Sequence, residues 1–148
     1  MTHLFVSLHA VQLRGHLDDV DFDKTLGNAL QHLSQLTTLH VEVKFVEPTA
    51  LDHLSTLHQL QSLCLTEKPL YPEHHRQPAA LPTLPVGLTS FTGRGGFLST
   101  SESCAVVRQL TKLRDLSVSG RHGLDLSMVA NMTELTSLQV LEPINCSD

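Results

Sequence analysis

A repeated frame of apolar residues, apolar-x-x-apolar-x-x-apolar-x-apolar, constrains the fold of this chain more than any other feature. The closing apolar-x-apolar alternation has a period of two, which is the spacing of a short strand with one buried face. The third apolar position of each copy serves as a marker: Val11, Leu39, Leu63, Phe91, Leu116 and Leu138. Successive markers lie 28, 24, 28, 25 and 22 residues apart, which predicts six structural repeats that each donate one parallel strand.

Five of the six copies keep all four apolar positions. They are Phe5/Leu8/Val11/Leu13, Leu33/Leu36/Leu39/Val41, Leu57/Leu60/Leu63/Leu65, Leu110/Leu113/Leu116/Val118 and Met132/Leu135/Leu138/Val140. The remaining copy keeps Leu88 and Phe91 but has Pro85 and Gly93 at its two ends. One repeat cannot bury its own apolar face, whereas stacked neighbours share a continuous core. We therefore expect the markers, Leu138 included, to lie in one dry interior.

The segments between the predicted strands carry helix signals in some repeats and helix breakers in one. Before the second marker, one helical face collects Leu26, Ala29, Leu30 and Leu33. Thr49-Ala-Leu-Asp52 resembles a capping box, and Ser99-Thr-Ser-Glu102 has the full capping-box pattern. Five of the seven prolines lie between Pro69 and Pro85, where an irregular crossing is expected instead of a helix.

The length and apolar content of the chain, 148 residues of which 41% are hydrophobic, suit one soluble domain spanning residues 1–148. The predicted fold class is α/β. We expect a right-handed solenoid of six repeats, with a parallel sheet on the concave face and helices or irregular segments on the convex face. The stretch from Leu4 to Val11 is interpreted as a single strand. Neither end shows a recognisable capping segment, which indicates either a fragment of a longer array or improvised caps.

The repeat pattern resembles the leucine-rich-repeat family over nearly the whole chain. The stretch from Leu124 to Leu138 is similar to the compact repeat class that includes the internalins. Leu84 to Phe91 is similar to the Leu-Pro-x-x-Leu-x-x-Leu repeat of secreted bacterial ubiquitin-ligase effectors. The family's usual Asn or Cys at the ninth repeat position is replaced by His16, Lys44, Lys68, Gly96, Arg121 and Pro143. Without an asparagine ladder, the turns after the strands are expected to satisfy their backbone groups differently.

Composition and charge argue against several classes of function. The net charge is −5 and the basic residues form no stripe, so no nucleic-acid partner is expected. No run approaches the roughly 18 apolar residues of a membrane span, so no membrane partner is expected either. The three cysteines match neither a disulfide framework nor a zinc pattern, and a cytoplasmic location is favoured over a secreted one. No cofactor or metal is predicted, because the adjacent side chains of Glu73, His74 and His75 diverge.

The non-core positions of the strands define the candidate binding surface. The predicted concave-face site consists of Gln12, Arg14, His40, Glu42, Cys64, Thr66, Thr92, Arg94, Asp115, Ser117 and Gln139. Six strands spaced about 4.8 Å apart, each about 15 Å long, present roughly 360 Å². A standard interface buries about 800 Å² per partner, so loops or further repeats are expected to contribute.

These features indicate a non-enzymatic protein-protein interaction scaffold, without catalytic residues, that binds a protein or peptide through the sheet and adjoining loops. Two alternatives stay open. The first is the substrate-recognition repeat portion of a ubiquitin-ligase adaptor or secreted effector, which the resemblance to bacterial effectors implies. The second is a thiol-dependent enzyme, because His40 and Cys64 are expected to be neighbours on adjacent strands.

Overall fold

The computed structural model describes residues 3–7, 10–15, 27–43, 48–67, 81–95, 98, 100–119 and 126–141. It is an α/β structure built on one seven-stranded sheet, in which the strands follow one another in chain order. The strands are β1 (His3–Ser7), β2 (Ala10–Gly15), β3 (Thr38–Val43), β4 (Ser62–Glu67), β5 (Ser90–Arg94), β6 (Asp115–Ser119) and β7 (Ser137–Leu141).

Short helices occupy the described connections that lead to β3, β4, β6 and β7. Residues 27–31 are helical, Pro48–Thr56 and Leu126–Val129 form 3-10 helices, and Ser101–Arg108 forms the α-helix α1. Within the described ranges, no helix has the length and apolar character needed to cross a membrane. The alternation of helical connections and parallel strands is the one that the repeat frame predicts.

Parallel pairing joins each strand from β2 to β7 to the next one along the chain. All six markers lie side by side in register: Val11, Leu39, Leu63, Phe91, Leu116 and Leu138. A slip of one residue would turn every apolar side chain of a strand to the other face, so burial of one face fixes this register. The predicted parallel strands and their alignment are confirmed.

The first strand departs from the predicted arrangement. β1 pairs antiparallel with β2, so that Leu4 lies opposite Leu13 and Val6 opposite Val11. The prediction of a single strand from Leu4 to Val11 is therefore wrong, since this stretch contains parts of two strands. Apolar periodicity does not distinguish one long strand from the two short strands of a hairpin. The hairpin covers the outer backbone edge of β2 and so provides an N-terminal cap.

Tight turns fix the apolar residues that precede each strand. The N–H of Leu57 donates to the carbonyl of Leu54 at 3.1 Å, and the N–H of Leu60 donates to the carbonyl of Leu57 at 3.0 Å. The same pair of bonds recurs before β3, β6 and β7. Bonds between residues three apart follow the 3-10 pattern, which brings every third side chain to one side. The apolar-x-x-apolar spacing therefore directs these side chains together into the core.

The core lies on one face of the sheet and is built mainly from leucine. In β3 to β6 the large apolar side chains at the third and fourth frame positions are at most 1% exposed: Leu39, Val41, Leu63, Leu65, Phe91, Leu116 and Val118. β7 differs, because Leu138 is 43% and Val140 is 48% exposed. The expectation of a buried Leu138 is therefore wrong. β6 has a strand on each side, whereas β7 is the last strand in the order of the sheet.

The degraded repeat around β5 is completed by a compensating pair of residues. Phe91 replaces the usual leucine and is fully buried, and Gly93 stands at the next core position. A Cβ atom on Gly93 would lie 3.2 Å from two ring atoms of Phe91 and 3.4 Å from Leu98. The larger ring thus fills the space that the missing side chain leaves, so the core continues through this repeat.

A ladder of backbone hydrogen bonds joins the repeats just before each strand begins. The carbonyl of Thr37 accepts the N–H groups of both Gln61 and Ser62, at 2.8 and 3.0 Å. The carbonyls of Gln61, Thr89 and Arg114 each accept two N–H groups from the following repeat in the same way. Main-chain groups therefore hold neighbouring repeats together at this end of the strands.

The helix signals in the sequence are confirmed in position but not in every detail. Thr49-Ala-Leu-Asp52 falls within the 3-10 helix Pro48–Thr56. The N-cap of α1 is Thr100, whose Oγ1 accepts the N–H of Ser103 at 3.1 Å. The prediction that Ser99 caps this helix is wrong by one residue, because Ser and Thr are both good capping residues. Within the proline-rich stretch from Pro69 to Pro85, the described residues 81–85 have no regular secondary structure, as predicted.

Several residues named in the predictions lie outside the described ranges. They are Leu26, the six residues at the ninth repeat position, Ser99, and the adjacent Glu73, His74 and His75. Of the helical face predicted before β3, Leu30 is fully buried and Leu33 is partly buried against the core.

Candidate interaction surface

The open face of the sheet is the face opposite the leucine core. It carries the strand residues that alternate with the buried ones. A central row of this face contains one residue from each parallel strand: Gln12, His40, Cys64, Thr92, Ser117 and Gln139. The four residues from β3 to β6 are half-buried, whereas Gln139 in β7 is exposed. The predicted alignment of this row is confirmed.

Two further rows flank the central row. Toward the strand ends, consecutive partners are Arg14, Glu42, Thr66 and Arg94. Toward the strand starts, consecutive partners are Thr38, Ser62, Ser90, Asp115 and Ser137. The register thus brings all the predicted site residues into three adjacent rows. Charges stand in the outer rows, and the central row is neutral apart from the titratable His40 and Cys64.

A cavity of about 210 Å³ lies on the open face across β5, β6 and β7. Hydroxyl groups, an amide and one carboxylate dominate its lining, which consists of Ser90, Phe91, Thr92, Asp115, Leu116, Ser117, Ser137 and Gln139. Among these residues, Asp115 is the charged one, and it is exposed. The lining therefore offers hydrogen-bond acceptors and one negative charge, which suit a partner group that donates hydrogen bonds.

Ser117 occupies the middle of this cavity lining. Its neighbours in register are Thr92 on β5 and Gln139 on β7. The Ser117 hydroxyl oxygen is buried and has no hydrogen-bond partner, which sets it apart from the other described buried polar side-chain atoms. Buried hydroxyls are usually paired, so this one retains unused hydrogen-bonding capacity at the base of the open face.

His40 and Cys64 are direct register partners on β3 and β4, as predicted. The Cys64 thiol is free and half-buried, and its Sγ lies 3.8 Å from Oγ1 of Thr66. A thiolate nucleophile also needs an oriented base and oxyanion donors.

Across the described ranges, His, Cys, Asp and Glu form no group of three that could hold a metal ion.

Sequence reasoning missed two features of this region. It did not find the cavity at β5 to β7, because a cavity depends on how side chains from three strands pack. It also missed the exposed apolar residues of β7, because the apolar frame of a strand does not show whether another element covers it.

Comparisons of this chain with known protein families, with curated proteins and with solved structures find no match.

Proposed function

We propose that this chain is a leucine-rich-repeat solenoid that acts as a non-enzymatic scaffold for protein-protein interaction. In this proposal its six coils turn in the right-handed sense, with the sheet on the inner, concave side. The partner is a protein or peptide that binds along the open face. One observation carries the proposal: three rows of mostly polar side chains stand in register on a sheet whose other face is anchored in a leucine core.

The regular spacing of the rows supports recognition of a partner segment. Neighbouring strands lie about 4.8 Å apart, so each row presents a side chain at a fixed interval along the open face. The buried core and the backbone ladder hold these positions, and a pre-ordered surface loses less entropy on binding than a mobile one. The polar character of the rows is typical of surfaces that bind reversibly.

The cavity at β5 to β7 indicates the chemistry of the partner. Its lining combines the Asp115 carboxylate with several hydroxyls and contains no Lys or Arg. A lysine or arginine side chain of the partner would satisfy the exposed Asp115 carboxylate. The roughly 360 Å² estimated for the open face is below the size of a standard interface, so we expect modest affinity unless the adjoining loops contribute.

The test is photo-crosslinking from the open face. A photoreactive amino acid is placed at Thr92, inside the cavity lining, and a matched one at Lys112, an exposed residue in the turn before β6. A partner that crosslinks at position 92, but not at position 112, is then titrated against the unmodified chain. We expect Asp115→Lys to weaken binding at least about tenfold and Lys112→Glu to leave it unchanged. Equal effects of the two substitutions would place the binding site elsewhere.

The register of His40 and Cys64 is the observation behind a second candidate, thiol chemistry. If His40 activates the thiol, Cys64 should react with iodoacetamide faster in the unmodified chain than in the His40→Ala variant at neutral pH. Peptide mapping would separate Cys64 from the other two cysteines. Equal rates would remove this candidate and leave the interaction scaffold unaffected.

A further inference from the structure

The outer edge of β7 is unpaired among the described strands and carries exposed apolar side chains. β7 ends the order of the sheet, and no described strand pairs with its outer side. Leu138 and Val140 are 43% and 48% exposed, although their partners in β6 are buried. Exposed edges usually carry a charge, a proline or a bulge that discourages pairing with another strand. β7 reads Ser-Leu-Gln-Val-Leu and contains neither a charged residue nor proline.

We propose that two copies of this chain associate through β7, with the two strands antiparallel about a two-fold axis at Gln139. The sheet would then continue across the dimer. The interface lies at the end of the sheet and leaves the cavity-lining Thr92 and Asp115 on the open face. Two further lining residues, Ser137 and Gln139, lie on β7 itself, so the dimer and the proposed partner meet at this strand. Separate measurements test the two proposals: crosslinking at Thr92 for the partner, and sedimentation of the chain alone for the dimer.

The directions of the backbone groups exclude registers that are shifted by one residue. The N–H of Ser137 donates at 2.9 Å to the carbonyl of Arg114, in the repeat that contains β6. N–H and C=O directions alternate along a strand, so those of Leu138 and Val140 point to the free edge. When Leu138 of one copy lies opposite Val140 of the other, each such pair exchanges both of its backbone hydrogen bonds.

The side chains agree with the same register. Leu138 and Val140 both lie on the core face, so their pairing joins the apolar layers of the two copies. On the open face Gln139 lies opposite itself, and no like charges face each other along β7. A shift of two residues in one direction would place Leu138 opposite Glu142, and in the other direction Val140 opposite Thr136. A shift of one residue would put apolar and polar faces together.

A second copy is the occupant that these observations favour. The strand is neutral and complements itself, and a two-fold contact closes after two copies. The strand edge, about 17 Å long on a layer about 10 Å deep, offers roughly 170 Å². That area is well below the about 800 Å² per partner of a standard interface, so the dimer is weak and depends on concentration.

The first test is sedimentation velocity of the full chain from low micromolar to about 1 mM, a range that covers weak association. We expect reversible dimers in the unmodified chain. Val140→Lys should raise the dimer dissociation constant at least about tenfold, because the new charge would face Leu138 of the other copy. Val86→Lys is the matched control, since Val86 is 67% exposed and lies outside the sheet. Thermal melting confirms that both variants are folded.

The second test is a disulfide across the axis. The pair formed by the two copies of residue 139 is a non-hydrogen-bonded pair, with Cα atoms about 4.5 Å apart, which suits a disulfide. Gln139→Cys should therefore form a 139–139 disulfide on mild oxidation. Ser137→Cys is the control, because position 137 faces Leu141 of the other copy and is equally exposed in the monomer.

Several outcomes would overturn the proposal. They are monomers at all concentrations, equal weakening by Val140→Lys and Val86→Lys, equal crosslinking at positions 137 and 139, and assemblies that grow beyond the dimer. Growth beyond the dimer would indicate a head-to-tail contact instead. A 139–139 link together with selective loss of dimers in Val140→Lys supports the antiparallel β7 interface.

Discussion

β6 and β7 have the same apolar pattern and lie side by side in register, yet their burial is opposite. Leu116 and Val118 in β6 are at most 1% exposed, whereas their partners Leu138 and Val140 are nearly half exposed. β6 is flanked by β5 and β7, while β7 has β6 alone among the described strands. The comparison shows that in this sheet a strand's apolar side chains are buried by the neighbours on both sides, not by its own pattern.

The connections that precede β6 and β7 also differ, in the length of their helix and in how many of its side chains are buried. The chain reaches β6 through α1, an eight-residue helix that Thr100 caps and that buries Ser103, Cys104 and Val107. It reaches β7 through the 3-10 helix Leu126–Val129, which has four residues. Of these, Met128 is buried. Among the described residues, the connection before β6 therefore has the longer helix and the larger number of buried helical side chains.

Truncation of the matched leucines is expected to give the largest contrast. Leu116→Ala should lower the free energy of unfolding by about 2–5 kcal/mol, because it leaves a cavity in a fully packed core. Leu138→Ala should cost about 1 kcal/mol or less, since much of that side chain is already in water. Urea denaturation at low protein concentration, where β7 is not covered by a second copy, measures both. Equal losses would contradict the difference in burial.

The second contrast concerns the buried hydroxyl of Ser103, which lies in α1. Ser103 is fully buried, and its Oγ accepts the N–H of Leu81 at 2.9 Å. Ser103→Ala should cost about 1–3 kcal/mol because that N–H would lose its partner. Ser101→Ala on the exposed side of the same helix should change stability by less than about 0.5 kcal/mol. Equal losses of stability in the two variants would show that the packing of α1 does not depend on this hydrogen bond.

Removal of the N-cap side chain of α1 should have a smaller effect on stability. Thr100→Ala removes the acceptor for the N–H of Ser103 and should cost about 1 kcal/mol. Thr100→Ser retains the hydroxyl and should restore most of the loss. Chemical denaturation measures the stability, and amide hydrogen exchange should increase first in α1. An increase that began in Leu126–Val129 instead would reverse the order of stability inferred for the two connections.

The ion pair between Arg114 and Glu134 should contribute least to the free energy of unfolding. Nε of Arg114 lies 3.5 Å from Oε2 of Glu134, and the two side chains are 63% and 48% exposed. A double-mutant cycle with Arg114→Gln and Glu134→Gln should give a coupling of roughly 0.2–1 kcal/mol. In 1 M salt, where the screening length is about 3 Å, the coupling should largely disappear. A larger, salt-resistant coupling would show that β7 is held more firmly than its burial indicates.

The sequence was sufficient for much of the strand arrangement because one local pattern carries it. The period-two alternation sets which face of each strand is buried, and the markers from Val11 to Leu138 then align. Even the degraded copy was located correctly, since Leu88 and Phe91 are fully buried. The positions of the open-face residues followed from the same register.

The predictions that proved wrong depend on information that no local pattern contains. Whether Leu138 is buried depends on a neighbour beyond β7. The antiparallel pairing of β1 with β2 depends on contacts between two strands that have the same apolar alternation. The choice between Ser99 and Thr100 as a cap depends on which hydroxyl reaches Ser103. The cavity around Ser117 depends on the packing of side chains from three strands.

The ladder that begins at Thr37 has a consequence for how this chain tolerates mutation. Its accepting positions are occupied by Thr37, Gln61, Thr89 and Arg114, so a small hydroxyl, an amide and a long charged side chain all occur there. These hydrogen bonds use backbone carbonyl and amide groups, which nearly every amino acid possesses. The four accepting positions should therefore tolerate many different amino acids. Proline on the donor side is the exception, since it lacks the amide hydrogen. Substitutions at the four accepting positions should therefore leave the backbone bonds between neighbouring repeats in place.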